Sequence, residues 1–154
     1  MLFPGIRLAY LVVPEAQVER FDQVSEAFAT DGPQLTQAIV TAFMKEGHFA
    51  RHIQRMRKLY AERRDATAAG LESVLGRYMR IDPQPGGMHL VMRLRGTRSD
   101  RQLARRMRDQ GMRAEALRDC VMDGGGPSAL LLNFTNIDSR QTAENLAQRI
   151  LRLL

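Results

Sequence analysis

The chain has 154 residues, 44% hydrophobic and 26% charged, with a formal net charge of +6. That length buries a sizeable core and sets one domain as the default, the single cysteine, Cys120, excludes an internal disulfide, and no apolar run is long enough to span a membrane. The basic balance invites a nucleic-acid reading, but the 23 basic residues are spread over every predicted element, mixed with 17 acids and little interleaved with aromatics, so a solvated arginine-rich surface is the better reading.

In chain order, Pro4-Gly5 signals a turn, and residues 8–13 (LAYLVV) form a continuous apolar run closed by Pro14. Such a run predicts a strand buried on both faces, as in a parallel sheet, yet this chain supplies few neighbours for it. Val18, Phe21, Val24 and Phe28 give a helical stripe, and residues 30–33 (TDGP) break it. Leu35, Ile39, Ala42 and Phe43 mark a second helix.

Residues 46–76 form the organising stretch, one long helix without proline. Phe49, Ile53, Met56 and Tyr60 begin its apolar stripe, and Thr67, Leu71 and Val74 continue it. Arg51, Arg55 and Lys58 lie on another face, and Gly76 is the stop. Beyond it the period changes. Residues 78–81 predict a short strand, and residues 88–95 a half-buried one, with Met88, Leu90, Met92 and Leu94 facing the core and His89, Val91, Arg93 and Arg95 facing away. The methionines at 56, 79, 88 and 92 read as core filler. Ser99 with Gln102 is a capping box for a helix ended by Gly111. Residues 112–117 predict a strand, residues 123–127 a loop, and residues 129–134 another strand. Asp138 with Gln141 caps a last helix, whose face is Ala143, Leu146, Ala147, Ile150 and Leu153. The expected class is α/β: an α+β small domain with the long helix packed on a small, mainly antiparallel sheet, helices to one side.

Several residues invite a chemical reading. His48 and His52 stand four apart, but no third metal ligand accompanies them, so no metal site is expected. His89 reads as a surface or interface histidine. Gly124, Gly125 and Gly126 precede no helix start and read as a flexible loop, not a phosphate cradle. Cys120 has no base nearby in sequence and reads as a small buried or loop residue.

Two stretches carry a resemblance. Residues 2–14 (LFPGIRLAYLVVP) resemble the segment after the cofactor lysine of fold-type I aminotransferases. Residues 47–65 (GHFARHIQRMRKLYAERRD) are similar to MocR-type transcriptional regulators, the GntR subgroup with an aminotransferase-like domain. Residues 86–94 (GGMHLVMRL) and 130–136 (LLLNFTN) resemble later parts of the same domain, so the likeness runs nearly end to end. It implies the C-terminal part of a domain that binds pyridoxal 5′-phosphate (PLP), with residues 1–46 a remnant of the large aminotransferase-like domain and its connecting helices, and residues 47–154 the small domain.

Carried over position by position, Arg7 after Pro4-Gly5 falls at the cofactor-phosphate ligand. The Schiff-base lysine falls immediately before Met1; neither Lys45 nor Lys58 aligns with it. An arginine that clamps the substrate carboxylate is replaced by Leu131, which cannot pair with a carboxylate. The resemblance therefore implies a regulator that senses PLP or its adduct. No catalytic residue is expected in this chain, PLP is expected in the full-length protein and not on this fragment, and DNA contact is expected through a winged-helix domain that the chain does not contain. A homodimer in the cytoplasm is expected, without membrane attachment. The competing expectations are the C-terminal part of a true class I/II aminotransferase, and a stand-alone interaction domain. The isolated chain is also expected either to self-associate through the strand at residues 8–13 or to fold it onto its own helices.

Overall fold

The computed structural model describes residues 8–28, 34–82, 86–122 and 125–154. The chain divides into two compact units, Met1–Gln54 and Arg55–Leu154, and the division falls inside the long helix.

In the first unit, Pro14 leads into a single 3-10 turn, Glu15–Gln17, and then helix α1, Val18–Ala27. Helix α2 spans Gln34–Lys45. Both predicted stripes exist, but neither helix buries a residue. Residues 8–14 are not a strand. A strand exists only through hydrogen bonds to a neighbour, and none of the described strands pairs with this run. Tyr10 is 91% exposed and Val12 83%. The run instead lines an open apolar groove with α1, in which Leu11, Val12 and Val13 meet Val18 and Phe21.

Helix α3, His48–Leu75, is the predicted long helix. Phe49, Ile53 and Met56 are only half-buried, and full burial begins at Thr67 and continues through Gly70, Leu71 and Leu75. Gly70 does not break the helix. It lies where a Cβ would stand 2.6 Å from the Ala143 Cβ and 2.7 Å from the Arg140 carbonyl oxygen, so the glycine is a contact point between helices.

The second unit holds a four-stranded sheet of order β1-β2-β4-β3, every pair antiparallel. The strands are β1 (Met79–Ile81), β2 (His89–Leu94), β3 (Glu115–Ala116) and β4 (Ala129–Asn133). Helix α4 (Asp100–Asp109) joins β2 to β3, and helix α5 (Arg140–Leu151) closes the chain. The expected strand over residues 112–117 shortens to two residues, because a 3-10 turn, Leu117–Cys120, follows at once. Register places Leu90 opposite Leu132 and Met92 opposite Leu130, so these four share one face. That face builds the core with Leu71 and Leu75 of α3, Leu103, Ala104 and Met107 of α4, Ala143, Ala147 and Ile150 of α5, and Phe134. Val91, read from its alternation as outward-facing, is nevertheless buried.

The caps follow sequence logic with one correction. The Ser99 side chain accepts the Gln102 N–H at the start of α4. The cap of α5 is Ser139, whose hydroxyl accepts the Thr142 N–H at 3.2 Å, and not Asp138. Ser139 has the extended backbone that a cap requires, and Asp138, one residue earlier, instead accepts the Thr142 hydroxyl at 2.9 Å. That bond, then one from Ser139, holds the Asp138 carboxyl below the usual carboxylate range. A depressed folded pKa stabilises above the unfolded value, and the stabilisation is lost as pH falls through the folded value. The Asp138→Asn variant is therefore expected to be less stable than wild type at neutral pH and to converge with it in acid. Urea midpoints across an acid series check this, and a constant difference down to the lowest pH would contradict it.

Asp100 is fully buried at the first position of α4. Its carboxylate accepts from the backbone N–H groups of Arg101 at 3.0 Å, Arg118 at 3.3 Å and Ala129 at 3.4 Å. One side chain thereby ties the start of α4 to the turn after β3 and to β4.

Candidate functional site

The face of the sheet opposite the core carries the residues with chemistry. Alternation along β4 buries Leu130 and Leu132 and turns Leu131 the other way, where it is half-buried. Leu131 is the Cα partner of Val91 on β2 and of Glu115 on β3, and His89 is the partner of Asn133. Register thus brings side chains from three strands onto one face.

Two arginines complete the arrangement. Gly111, at φ 72°, ends α4 in the left-handed region that favours glycine, with its N–H on the Arg108 carbonyl at 2.9 Å. The Met112 N–H bonds back to the Met107 carbonyl at 2.9 Å, and both methionine side chains enter the core. This turn leaves Arg108, in the last turn of α4, and Arg113 lining the same space. His89, Arg108, Arg113, Glu115, Leu131 and Asn133 line an open groove of about 430 Å³. Asn133 is engaged, its Oδ1 accepting the Thr135 N–H at 2.9 Å and the Thr135 hydroxyl at 2.6 Å. Among the described residues, neither the Arg108 nor the Arg113 guanidinium has a hydrogen bond or ion pair.

The sequence singled out His89 and Leu131, and the structure brings both to this groove. It missed Arg108, Arg113 and Glu115. A signal existed for two of them: Arg113 and Glu115 alternate with buried Met112, Ala114 and Ala116, which is the pattern of a one-sided strand. Arg108 carried none, being one arginine among many on an amphipathic helix.

The other sequence candidates lie elsewhere. Arg7 falls outside the described residues, as do Asp123 and Gly124. His48 stacks on Phe43 with ring centroids 5.6 Å apart, contacts Glu46 at 3.1 Å and shares a hydrogen bond with Arg51 at 2.8 Å. Among the described residues, no group of three or more His, Cys, Asp or Glu is placed to hold a metal ion. Cys120 is exposed and its thiol donates weakly to the Ala116 carbonyl. Lys45 and Lys58 stand exposed on α2 and α3 and line neither groove described above. The described residues therefore do not by themselves fit PLP. A lysine must reach the cofactor aldehyde inside a sheltered site, and these two are exposed to solvent. Among the described residues, no helix is long and apolar enough to cross a membrane.

Comparison with known proteins is consistent along the chain. Residues 1–150 match the family Aminotransferase class I and II. The chain is 31% identical over 145 residues to the probable rhizopine catabolism regulatory protein MocR of Rhizobium meliloti, an alignment that covers 94% of this chain and 29% of that protein. It is 27% identical over 146 residues to the 2-aminoadipate transaminase of Thermus thermophilus, covering 95% of this chain and 36% of that one. Among solved structures it is similar to LysN, the alpha-aminoadipate aminotransferase of Thermus thermophilus, in complex with N-(5′-phosphopyridoxyl)-L-leucine. That match has a TM-score of 0.83 at 26% identity, over 98% of this chain and 38% of that one. The chain thus spans about a third of the length of these relatives.

Proposed function

Because the chain belongs to the class I and II aminotransferase family, we propose that it is the C-terminal part of the PLP-binding effector domain of a MocR-type regulator of the GntR family. The observation that carries this reading is the 31% identity to a regulatory protein along 94% of the chain. Leu131 supports it, because a strand residue with no charge cannot clamp a substrate carboxylate. In this reading residues 1–46 belong with a large cofactor-binding domain and residues 47–154 form the small domain. Arg7 contacts the cofactor phosphate, a role suited to a guanidinium after a Pro-Gly turn. The cofactor lysine and the remaining cofactor contacts come from outside this chain. The whole protein acts as a cytoplasmic homodimer, and ligand binding changes how a winged-helix domain meets DNA. The exposed apolar surfaces of the first unit suit burial against such further parts.

The second reading is a class I/II aminotransferase, favoured by the 2-aminoadipate transaminase and by LysN. Both readings place the cofactor lysine outside the chain, and a direct test follows. Mixed with PLP and reduced with borohydride, the chain is expected to show no saturable adduct on Lys45 or Lys58. Its DNA binding is expected to be weak and to vanish at physiological salt. A stoichiometric adduct at either lysine, or a salt-resistant footprint on one operator, would overturn the division of roles.

A further inference from the structure

The surplus positive charge of the chain belongs to its second unit. Residues 55–154 hold 19 basic and 11 acidic side chains, a net +8, whereas residues 1–54 hold 4 and 6, a net −2. Many arginines of the second unit serve the fold. Arg106 donates to the Leu153 carbonyl and Arg149 to the Gln110 carbonyl, each at 2.9 Å, and Arg140 pairs with Glu144 at 2.8 Å. The outer side of α4 is different. Leu103, Ala104 and Met107 bury its inner face, and Arg101, Arg105 and Arg108, spaced i, i+4 and i+7, form one exposed ridge. At 1.5 Å per residue the ridge is about 10 Å long. Arg101 is matched by Asp119 at 2.7 Å. Arg105 and Arg108 have no hydrogen bond or ion pair among the described residues, and Asp109, four residues after Arg105, is not paired with it. Like charges three and four residues apart on a helix repel, so the ridge gives the fold nothing and leaves two guanidiniums for a partner.

We infer that the α4 ridge contacts the phosphate backbone of duplex DNA without reading its sequence. A planar guanidinium matches phosphate oxygens in pairs. A convex line of cations encloses no single small anion and matches a line of fixed anions instead. Duplex DNA offers one negative charge about every 1.7 Å along its axis. Contacts of this kind position a protein on the duplex and carry no sequence information. The inference deepens the regulator reading and rests on it for the choice of duplex DNA among polyanions. Base recognition stays with the winged-helix domain, and α4 adds affinity from the effector side.

The test uses the whole chain and a fluorescent duplex of random sequence, with binding followed by anisotropy from low to physiological salt. The slope of log affinity against log salt counts phosphate contacts, at about −0.9 for each. The double variant Arg105→Gln/Arg108→Gln is expected to flatten the slope by about 2 and to weaken binding at low salt about tenfold or more. Lysine at both positions keeps the charge and is expected to keep the slope. Arg55→Gln/Arg57→Gln removes the same charge from exposed positions on α3 and is expected to leave the slope unchanged. Arg105 and Arg108 are exposed and unpartnered among the described residues, so their variants keep the wild-type circular dichroism spectrum. The inference is overturned by a wild-type slope in the α4 glutamine variant, by equal flattening in the α3 variant, or by loss of slope with lysine. It is also overturned if vesicles of phosphatidylserine bind the chain more tightly than DNA does at the same salt. Each of these results leaves the regulator reading standing, because that reading places specific DNA contact outside this chain. A native protein without a winged-helix domain would instead sink that reading and leave the measured slopes as they are.

Discussion

Replacing Gly70 by valine is expected to cost the second unit several kcal/mol, and replacing it by alanine is expected to be destabilising as well. The alanine case is the sharper one, because two effects oppose each other. In a helix interior, alanine is favoured over glycine by about 1 kcal/mol. Against this, the new Cβ would lie 2.6 Å from the Ala143 Cβ, 2.7 Å from the Arg140 carbonyl oxygen and 3.1 Å from the Glu144 nitrogen. Two of these three atoms are backbone of α5 and cannot rotate away. Overpacking of this kind costs about 1–3 kcal/mol, so the clash outweighs the propensity gain. Valine adds two methyl groups at the same contact and forces α3 and α5 apart. Ala69, one residue earlier and exposed, gives the control, since Ala69→Gly loses the propensity term alone. Urea midpoints falling in the order wild type, Gly70→Ala, Gly70→Val bear the account out. An alanine variant more stable than wild type would show that the two helices do not meet at Gly70.

The second large effect is at Asp100. Removing its carboxylate in Asp100→Ala strands three backbone N–H groups, of Arg101, Arg118 and Ala129, from which it now accepts. A buried donor left without a partner costs about 1–3 kcal/mol, and the Ala129 N–H lies in a fully buried segment. Water can reach Arg101 and Arg118, which are less buried, so a total of about 3 kcal/mol is expected. The Arg118 guanidinium, 4.0 Å from the carboxylate and partly exposed, adds little. Asp100→Asn keeps one acceptor oxygen and is expected to fall between the two. Thermal unfolding of the three proteins gives the order directly. Equal midpoints for Asp100→Ala and wild type would mean that the carboxylate is not the tie between α4 and β4.

The second unit was legible from local pattern because its signals are local. The Ser99-to-Gln102 box specifies the start of α4 through one side chain and one N–H. Period-two alternation fixes which face of β2 holds Leu90 and Met92. The apolar spacing of Ala143, Ala147 and Ile150 makes the buried face of α5 visible before any contact is known. Where reading failed, the missing information was a partner. Residues 8–13 have strand composition, but composition cannot supply the neighbour that a strand needs, and none of the described strands pairs with them. The stripe from Phe49 to Met56 is real in spacing and only half-buried in fact. Val91 reads as outward by alternation and is buried beside Leu131, because register with β4 decides burial on that face.

The groove was legible in pieces only. His89 and Leu131 could be placed on strands, and their meeting depends on the pairing of β2 with β4. Arg108 joins them through the left-handed turn at Gly111, whose stop signal was read without its consequence for the arginines on either side. Arg7, the one cofactor contact that the resemblance assigns, lies outside the described residues and stands on that resemblance.

The most direct measurement of the central claim is the N-terminal sequence and intact mass of the protein made from the native gene, together with the site of its borohydride-trapped PLP. The account predicts a product longer than 154 residues, with a winged-helix domain at its start and PLP trapped on a lysine immediately before Met1. A product of 154 residues beginning at Met1, or PLP trapped on Lys45 or Lys58, would contradict it.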